Sequence, residues 1–570
     1  MSYTKHTWTT QELITSDKLN NLELNAASGN SLINFVTKYD ADNTGTNSIS
    51  SLLQSALNET ASLGLQLYIP TGTYKLDSTI ILVNNMNLIL SPSAKMVRYH
   101  KAGYTFHAKN GAGIGSGGKN IRISGGTWDT SDGFNNAHGL SLMHVSNSVF
   151  ENMTFNNAVL SGHVFDLMGS SDITIRNNVF IGSNSTANRF FTEAIQIDEA
   201  TAIGSSYSYS NESYDGLACD NISIVNNKCL PIMNGDDISY YSAPLVGMHA
   251  QVENNQNKNI NIYGNYIQDT RPLPSADQVM NYGSIHIRNV DGVNIKNNVF
   301  KQTATNEYPN FAISVLIGET YLKLSDVALN NPVFQNGATE DVSNIEISSN
   351  IFSGFKYNNL PSSGNPSIIQ INGSSNFSKY INNVTVQSNK FYDSVRSGDE
   401  NIYSNIVTNV ISGHHVNNLI FNNNNVYDCN NLCDFSNINL LSVTNNNTYR
   451  LSNTIAKLNT SSGVFNNNVI NGVHGNIYVD TSNIIISGNN MFNWTKHTGT
   501  VIYNSMISIR DPEAIVQNNR FIASGDIDNA VYVQPSGTKN KIITNNIFSG
   551  INSDKPTSIV YNNNINTLSK

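Results

Sequence analysis

Apolar and polar residues alternate over short stretches along most of this chain, and the alternation carries one recurring phrase, N-I-x-I-x-x-N-x-F. It appears as SDITIRNNVF (171–180), NISIVNNKC (221–229), NINIYGNYI (259–267), VNIKNNVF (293–300) and SNIEISSNIF (343–352). It continues as NNVTVQSNKF (382–391), NLIFNNNNVY (418–427), NIIISGNNMF (483–492), AIVQNNRF (514–521) and NKIITNNIF (540–548). Each copy reads as a short strand with alternate residues inward, then an Asn ahead of a buried aromatic or aliphatic side chain. Asn tolerates left-handed backbone and hydrogen-bonds locally, so a turn Asn stacked from coil to coil builds a ladder. Copies are closely spaced late in the chain and further apart between Asn178 and Asn389, where loops are inserted. The pattern predicts an all-β fold, a right-handed single-stranded parallel β-helix. A leucine-rich repeat would show LxxLxL and a propeller longer four-strand periods, and neither is present.

Ahead of the coils, TNSISSLLQSALNETASLG (46–64) has apolar residues at helical spacing and is followed by LQLYIPTGTYKL. This predicts an N-terminal capping helix that shields the first coil from water. Further upstream, WTTQELITSDKLNNLELNAAS predicts a short N-terminal helical element with Ser16 or Thr15 as N-cap.

Composition narrows the function. Of the 570 residues only 13% are charged and 39% hydrophobic, which a solenoid with a narrow core tolerates. The net charge of −9 comes without a basic stripe, so no nucleic-acid partner is expected. No run of about 18 apolar residues and no secretory h-region occurs, so neither membrane insertion nor a signal peptide is expected. The four cysteines, Cys219, Cys229, Cys429 and Cys433, are too few for a disulfide scaffold and are read as buried thiols.

The repeat also supplies a register. Before each ladder strand lies another short strand: GHVFDLM (162–168), EAIQID (193–198), LVGMHAQV (245–252) and GSIHIRNV (283–290). Alternation buries Phe165, Leu167, Ile195, Ile197, Val246, Met248, Ile285 and Ile287. The outward set is then Asp166, Gln196, Asp198, His249, His286 and Arg288. Asp166 precedes Asn178 by the same interval that separates His286 from Asn298. With coils about 4.8 Å apart, these side chains form one external strip, the floor of a binding groove. Insertions at 199–220, 230–244 and 268–283 carry Tyr207, Tyr209, Tyr214, Tyr240, Tyr241 and Tyr282, which predict groove walls.

Two carboxyl groups about 5 to 9.5 Å apart are what glycoside hydrolysis requires. Glu193 and Asp198 sit roughly 16 Å apart along an extended strand, so they meet only if the strand bends at Glu193. Asp166 and Asp198 on neighbouring coils pair more easily, and Asp215, at the end of a loop, is a further carboxylate able to swing in. The candidate catalytic residues are therefore Asp198, Glu193, Asp166 and Asp215. The candidate binding residues are His249, His286, Arg288, His163, Gln196, Tyr214, Tyr240 and Tyr241. Glu199 reads as solvated. No cofactor is required by these residues; a divalent cation is allowed.

Helix, YIPTGTY strand and Asn-ladder coils in this order resemble the pectate-lyase-like superfamily, in particular phage tailspike depolymerases, over roughly residues 36–565. TWTTQELITSDKLNNLE is similar to the short N-terminal element of tail and appendage proteins from phages and prophages of Gram-positive hosts. The resemblance implies three segments: a tail-attachment or trimerisation element (1–35), a capped β-helix with loop-decorated catalytic coils (36–400), and distal coils with Asn, Ser and Thr outward (401–570). It also implies a homotrimer on the virion tail, partnered by tail or baseplate proteins and by a bacterial surface polysaccharide or teichoic acid. A polygalacturonase-like site would show NTD, GDD, GHG and RIK. This chain has QIDEA, NGDD, VGMHA and IHIRN, so that mechanism does not transfer residue for residue. The expected activity is polysaccharide hydrolysis. Teichoic acid phosphodiester hydrolysis, polysaccharide lysis and receptor binding without catalysis are the alternatives.

Overall fold

In the computed structural model, the coils are built from short parallel strands on three faces, and in two distal coils the strands of faces one and two run on as one, Asn409–Asn422 and Asn431–Thr444. Residues 32–549 are described, except 101–102, 130–137, 157–162, 184–192, 206, 208–211, 271–282, 307–310, 338–339, 358–365, 395–408, 452–454, 474, 481–482, 495–504, 511–512, 524–528 and 534–540. The N-terminal element, Tyr209, Tyr282 and the last coil's end therefore lie outside the described residues.

A representative coil runs Phe165–Met168 on face one, Ser171–Arg176 on face two and Val179–Ile181 on face three. Each strand pairs in parallel with its counterpart in the next coil, as Phe165 with Ile195, Ile173 with Ile222, and Phe180 with Cys229. Alternation places the apolar set inside. Phe165, Leu167, Ile195, Ile197, Val246, Met248, Ile285 and Ile287 are all fully buried. Rings stack along face three, with Phe300, Phe352 and Phe391 successively 4.9 and 4.8 Å apart.

The corner between faces two and three holds the Asn ladder. Asn298 Oδ1 accepts from Asn265 N and Nδ2, each at 2.9 Å. Its Nδ2 donates to Ile262 O at 2.9 Å and to Asn350 Oδ1 at 3.0 Å. A buried polar group left unpaired costs about 1–3 kcal/mol, so each rung removes several such penalties. The residue before the rung is left-handed, as at Asn177 (φ 56°) and Asn297 (φ 57°), which explains why Asn rather than a β-branched residue recurs there. Rungs follow one another from Asn178 to Asn546, separated by 52 residues at the widest (298 to 350) and 21 at the closest (468 to 489).

The predicted cap is a helix at Ser50–Ser62, which buries Leu53, Ala56, Leu57 and Ala61 on one face. The first coil starts earlier than residue 36, because Leu32–Asn34 already pairs with Gln66–Tyr68. All four cysteines are buried and free. Among the described residues no helix is long and apolar enough to cross a membrane.

The distal coils depart from the expected polar exterior. The outward column of face two reads Thr174, Ser223, Asn261, Asn294, Glu346 and Thr385 over the earlier coils. It then turns apolar, through Ile420, Val464, Ile485, Ile515 and Ile542, with Ser442 the one polar interruption. Ile542 remains 47% exposed, and Leu440, in the strand of Ser442, 52%. The Asn-rich composition of this half hid the stripe, because the Asn residues cluster at the corners while the strands keep β-branched residues on both sides.

Candidate active site

Face one is flanked on both edges by insertions: 199–219 and 317–342 join it to face two, while 231–244 and 303–310 lead into it from face three. Its outward column runs His107, Ser141, Asp166, Gln196 and Gly247, then His286, Ser314 and Gln370. Asp166 thus aligns with Gln196, and Asp198 stands one pleat further on, beside Met168.

Outward from the core does not mean solvated here. Asp166, Asp198 and His286 are fully buried, and Glu193 is 1% exposed. The Asp198 carboxylate is enclosed by donors. Oδ1 accepts from His249 N at 2.6 Å and Ala250 N at 3.1 Å, and Oδ2 accepts from Gln196 Nε2 at 2.5 Å. Gln196 Nε2 also donates to Gly204 O at 2.5 Å, which ties the loop after face one down over the strand. Burial raises the Asp198 carboxyl above its ordinary value, against the opposing pull of His249 and the two main-chain N–H groups.

Glu193 lies just outside its strand, which begins at Ile195, and this frees its side chain from the strand's alternation. The carboxyl crosses the next coil over Gly247 and reaches the ring of His249, with Nε2 3.0 Å from Oε2. His163, one coil back, has Nδ1 3.5 Å from the same oxygen and 3.0 Å from the Glu193 carbonyl. Burial pushes the Glu193 carboxyl up, but His249 and His163 outweigh it and hold the group below its ordinary value. Burial likewise opposes the charge on His249, while Glu193 and Asp198 raise its pKa overall. The rings of His163, His249 and His286 follow one another at 6.0 and 6.3 Å. Hence the bend required for Glu193 and Asp198 to share a site is present, and His249 joins them: its ring meets one, its main chain the other.

Arg288 stands in the column beyond His249, paired with Leu316, and its Nε is buried without an acceptor among the described residues. Both Arg288 and His249 are partly open to solvent, unlike the acids behind them.

Other expected residues lie elsewhere. Asp215 does not swing over face one. Its Oδ1 accepts from His144 Nε2 at 2.8 Å and Leu217 N at 3.1 Å, and its Oδ2 from Gly113 N at 2.9 Å. Those donors hold its pKa below the ordinary value despite partial burial. Tyr214 packs on Met143, Met168 and Ala200 and hydrogen-bonds Glu212 rather than forming an open wall. Tyr241 is half-buried, its phenol raised by burial and by Asp269, and Tyr240 is 41% exposed on the hairpin Ile232–Tyr240. Glu199 is fully buried rather than solvated, with Asn289 Nδ2 donating to Oε1 at 2.6 Å. Burial and then Asp198 push its pKa well up.

Sequence reasoning missed the contacts that close Asp166 in. Tyr104 Oη donates to Asp166 Oδ2 at 2.6 Å and accepts from Tyr207 N at 3.1 Å. Its ring stacks on His107, which pairs with Glu212 at 3.1 Å. The strand phase signals His107, which falls in the column of Asp166 two coils later; Tyr104 falls in the phase of the core residue Phe106, so alternation gave no sign of its reach to Asp166.

No protein-family model and no curated protein sequence matches this chain. Solved structures do match along most of its length. PfbA, a surface adhesin of Streptococcus pneumoniae, is 17% identical over 87% of this chain and 91% of its own, with a TM-score of 0.42. A double mutant of the tailspike protein of E. coli bacteriophage HK620 is 14% identical over 91% and 79%, with a TM-score of 0.49. ORF18 of Geobacillus virus E2 is 12% identical over 95% and 66%, with a TM-score of 0.30. At these identities the likeness is one of fold alone.

Proposed function

We propose that this protein binds and hydrolyses a bacterial surface or extracellular polysaccharide on face one, as a phage tailspike-type depolymerase. The observation that carries the reading is the convergence of Glu193 and Asp198 on His249, from two places in one coil that an extended strand would keep apart. Two carboxyl groups held on one rigid scaffold are the requirement of acid–base glycoside hydrolysis. Arg288, whose Nε lacks an acceptor among the described residues, supplies a partner for an anionic group on the polymer. Asp166, sealed by Tyr104, and Asp215, tied to His144, are assigned supporting roles.

A second reading is favoured by the two histidines on Glu193, which suit phosphodiester hydrolysis of a teichoic acid. Incubating the protein with cell-wall and capsular polymers separates the classes by the ends produced. New reducing ends support glycoside hydrolysis, phosphomonoesters the second reading, and unsaturated ends a lyase. Binding without any new ends leaves a receptor-binding fibre.

The assembly proposed with this function is a homotrimer on the virion tail, attached through the N-terminal segment. The apolar stripe from Ile420 to Ile542 supports it, because contiguous exposed apolar surface on a solenoid is normally covered by a partner.

A further inference from the structure

We infer that His163, Glu193 and His249 form a binding site for one divalent transition-metal ion of the zinc or manganese class. One ligand atom from each of the three lies within 4.8 Å of the other two. Zinc binds imidazole nitrogen and carboxylate oxygen at about 2.0–2.2 Å, so ligands across an ion stand at most roughly 4.4 Å apart. A sub-ångström contraction closes this set. Two histidines and one carboxylate are a donor set suited to such ions, and three protein ligands leave a position for water or a substrate oxygen.

Two further observations point to a cation rather than to a self-contained ion pair. The first is charge. Asp166, Glu193 and Asp198, three carboxyl groups on neighbouring coils, are all 1% exposed or less. Buried carboxylates are ordinarily paired or bound to metal. The second is construction around the ligands. Gly247 leaves the space that the Glu193 carboxyl occupies; an added Cβ would lie 2.4 Å from Glu193 Cδ. Asp198 accepts from the main-chain N–H groups of His249 and Ala250 and so fixes the backbone that presents the His249 ring. A glycine that makes room for one ligand and a carboxylate that orients another are the supports a metal centre uses.

The inference does not rest on the hydrolytic reading, since ion binding is measured without polymer. The purified full chain, stripped with chelator and dialysed, is titrated with Zn²⁺ by calorimetry and with Co²⁺ by visible absorption. The metal content after re-dialysis is measured by mass spectrometry. We expect one ion per chain, loss of stoichiometric binding in His163→Ala and His249→Ala, and binding weakened about 10- to 100-fold in Gly247→Ala, which removes no ligand. His414→Ala, in the distal coils, is expected to bind as the wild type does, and thermal unfolding confirms that each variant is folded. Absence of stoichiometric binding to the wild type overturns the inference. So does undiminished binding when His163 and His249 are both replaced in a folded chain. Either result removes the ion from this site and leaves the proposed hydrolysis standing.

Discussion

Gly247 and Glu193 are fitted to one another across a coil boundary: the glutamate side chain lies where a side chain at 247 would stand, with Cδ 2.4 Å from the Cβ that an alanine would bring. Gly247 also pairs with Gln196, in the coil that carries Glu193, so the two positions stay in register through main-chain hydrogen bonds. Its backbone is not left-handed, and alanine there meets a steric obstacle without a conformational one. Gly247→Ala should therefore fold normally and displace the carboxyl from His249. Misplacing a catalytic group by about 1 Å costs on the order of 10²-fold, and a loss of that size is expected in polymer cleavage. Far-UV circular dichroism and the thermal midpoint should stay close to wild type.

Asp215 and His144 form a structural clamp, which separates them experimentally from Glu193. Asp215 joins the loop at Gly113, the ring of His144 and the segment at Leu217 through three hydrogen bonds. Its folded pKa is depressed, so its contribution to stability is complete above the ordinary aspartate value and is lost as pH falls through the lower folded one. Asp215→Asn should lower thermal stability at neutral pH, with the difference shrinking in acid, while the turnover rate on polymer changes less than twofold. Parallel melting curves and initial rates check both parts.

Glu199 carries the opposite sign. Its carboxyl is fully buried, its pKa is raised well above 4.5 by burial and by Asp198, and its Oε2 has no hydrogen-bond partner among the described residues. In the folded chain it keeps a proton that the unfolded chain releases above about pH 4.5, so folding becomes less favourable as pH rises from there toward the folded pKa. Glu199→Gln retains the acceptor for Asn289 and removes the ionisation. It should raise the thermal midpoint at pH 7–8 and make little difference near pH 4, where both side chains are neutral. Melting curves across that range test it.

The apolar stripe on the distal coils predicts association through face two. Ile485→Asp combined with Ile515→Asp places two charges on the exterior of adjacent coils without touching the core, since both side chains point away from it. Sedimentation velocity should show a trimer for the wild type and a shift toward monomer for the double variant. An unchanged sedimentation coefficient would assign the stripe another role.

Much of this molecule was legible in its sequence because β-helix coils repeat their instructions locally. A left-handed residue followed by a ladder Asn marks one corner, and alternation then fixes which residues face in. That reading placed Asp166, Gln196, His249 and His286 on one face. It misjudged burial, however, because the cover comes from residues distant in sequence. Tyr207 closes on Tyr104, which holds Asp166, and Asn289 reaches back to Glu199. Nor does periodicity describe residues that sit outside strands. Glu193 and His249 both lie beyond strand ends, and their meeting depends on Gly247, whose role is invisible until the coils are stacked.

The account turns on Glu193, and one comparison tests it most directly: the rate of new chain ends from a susceptible polymer with wild type and with Glu193→Gln, at matched polymer binding. The amide keeps the size of the carboxyl while removing its charge and its capacity to serve as base, nucleophile or strong ligand. The account predicts that Glu193→Gln still binds the polymer and produces ends at background level. Cleavage at the wild-type rate by a folded Glu193→Gln chain would contradict it.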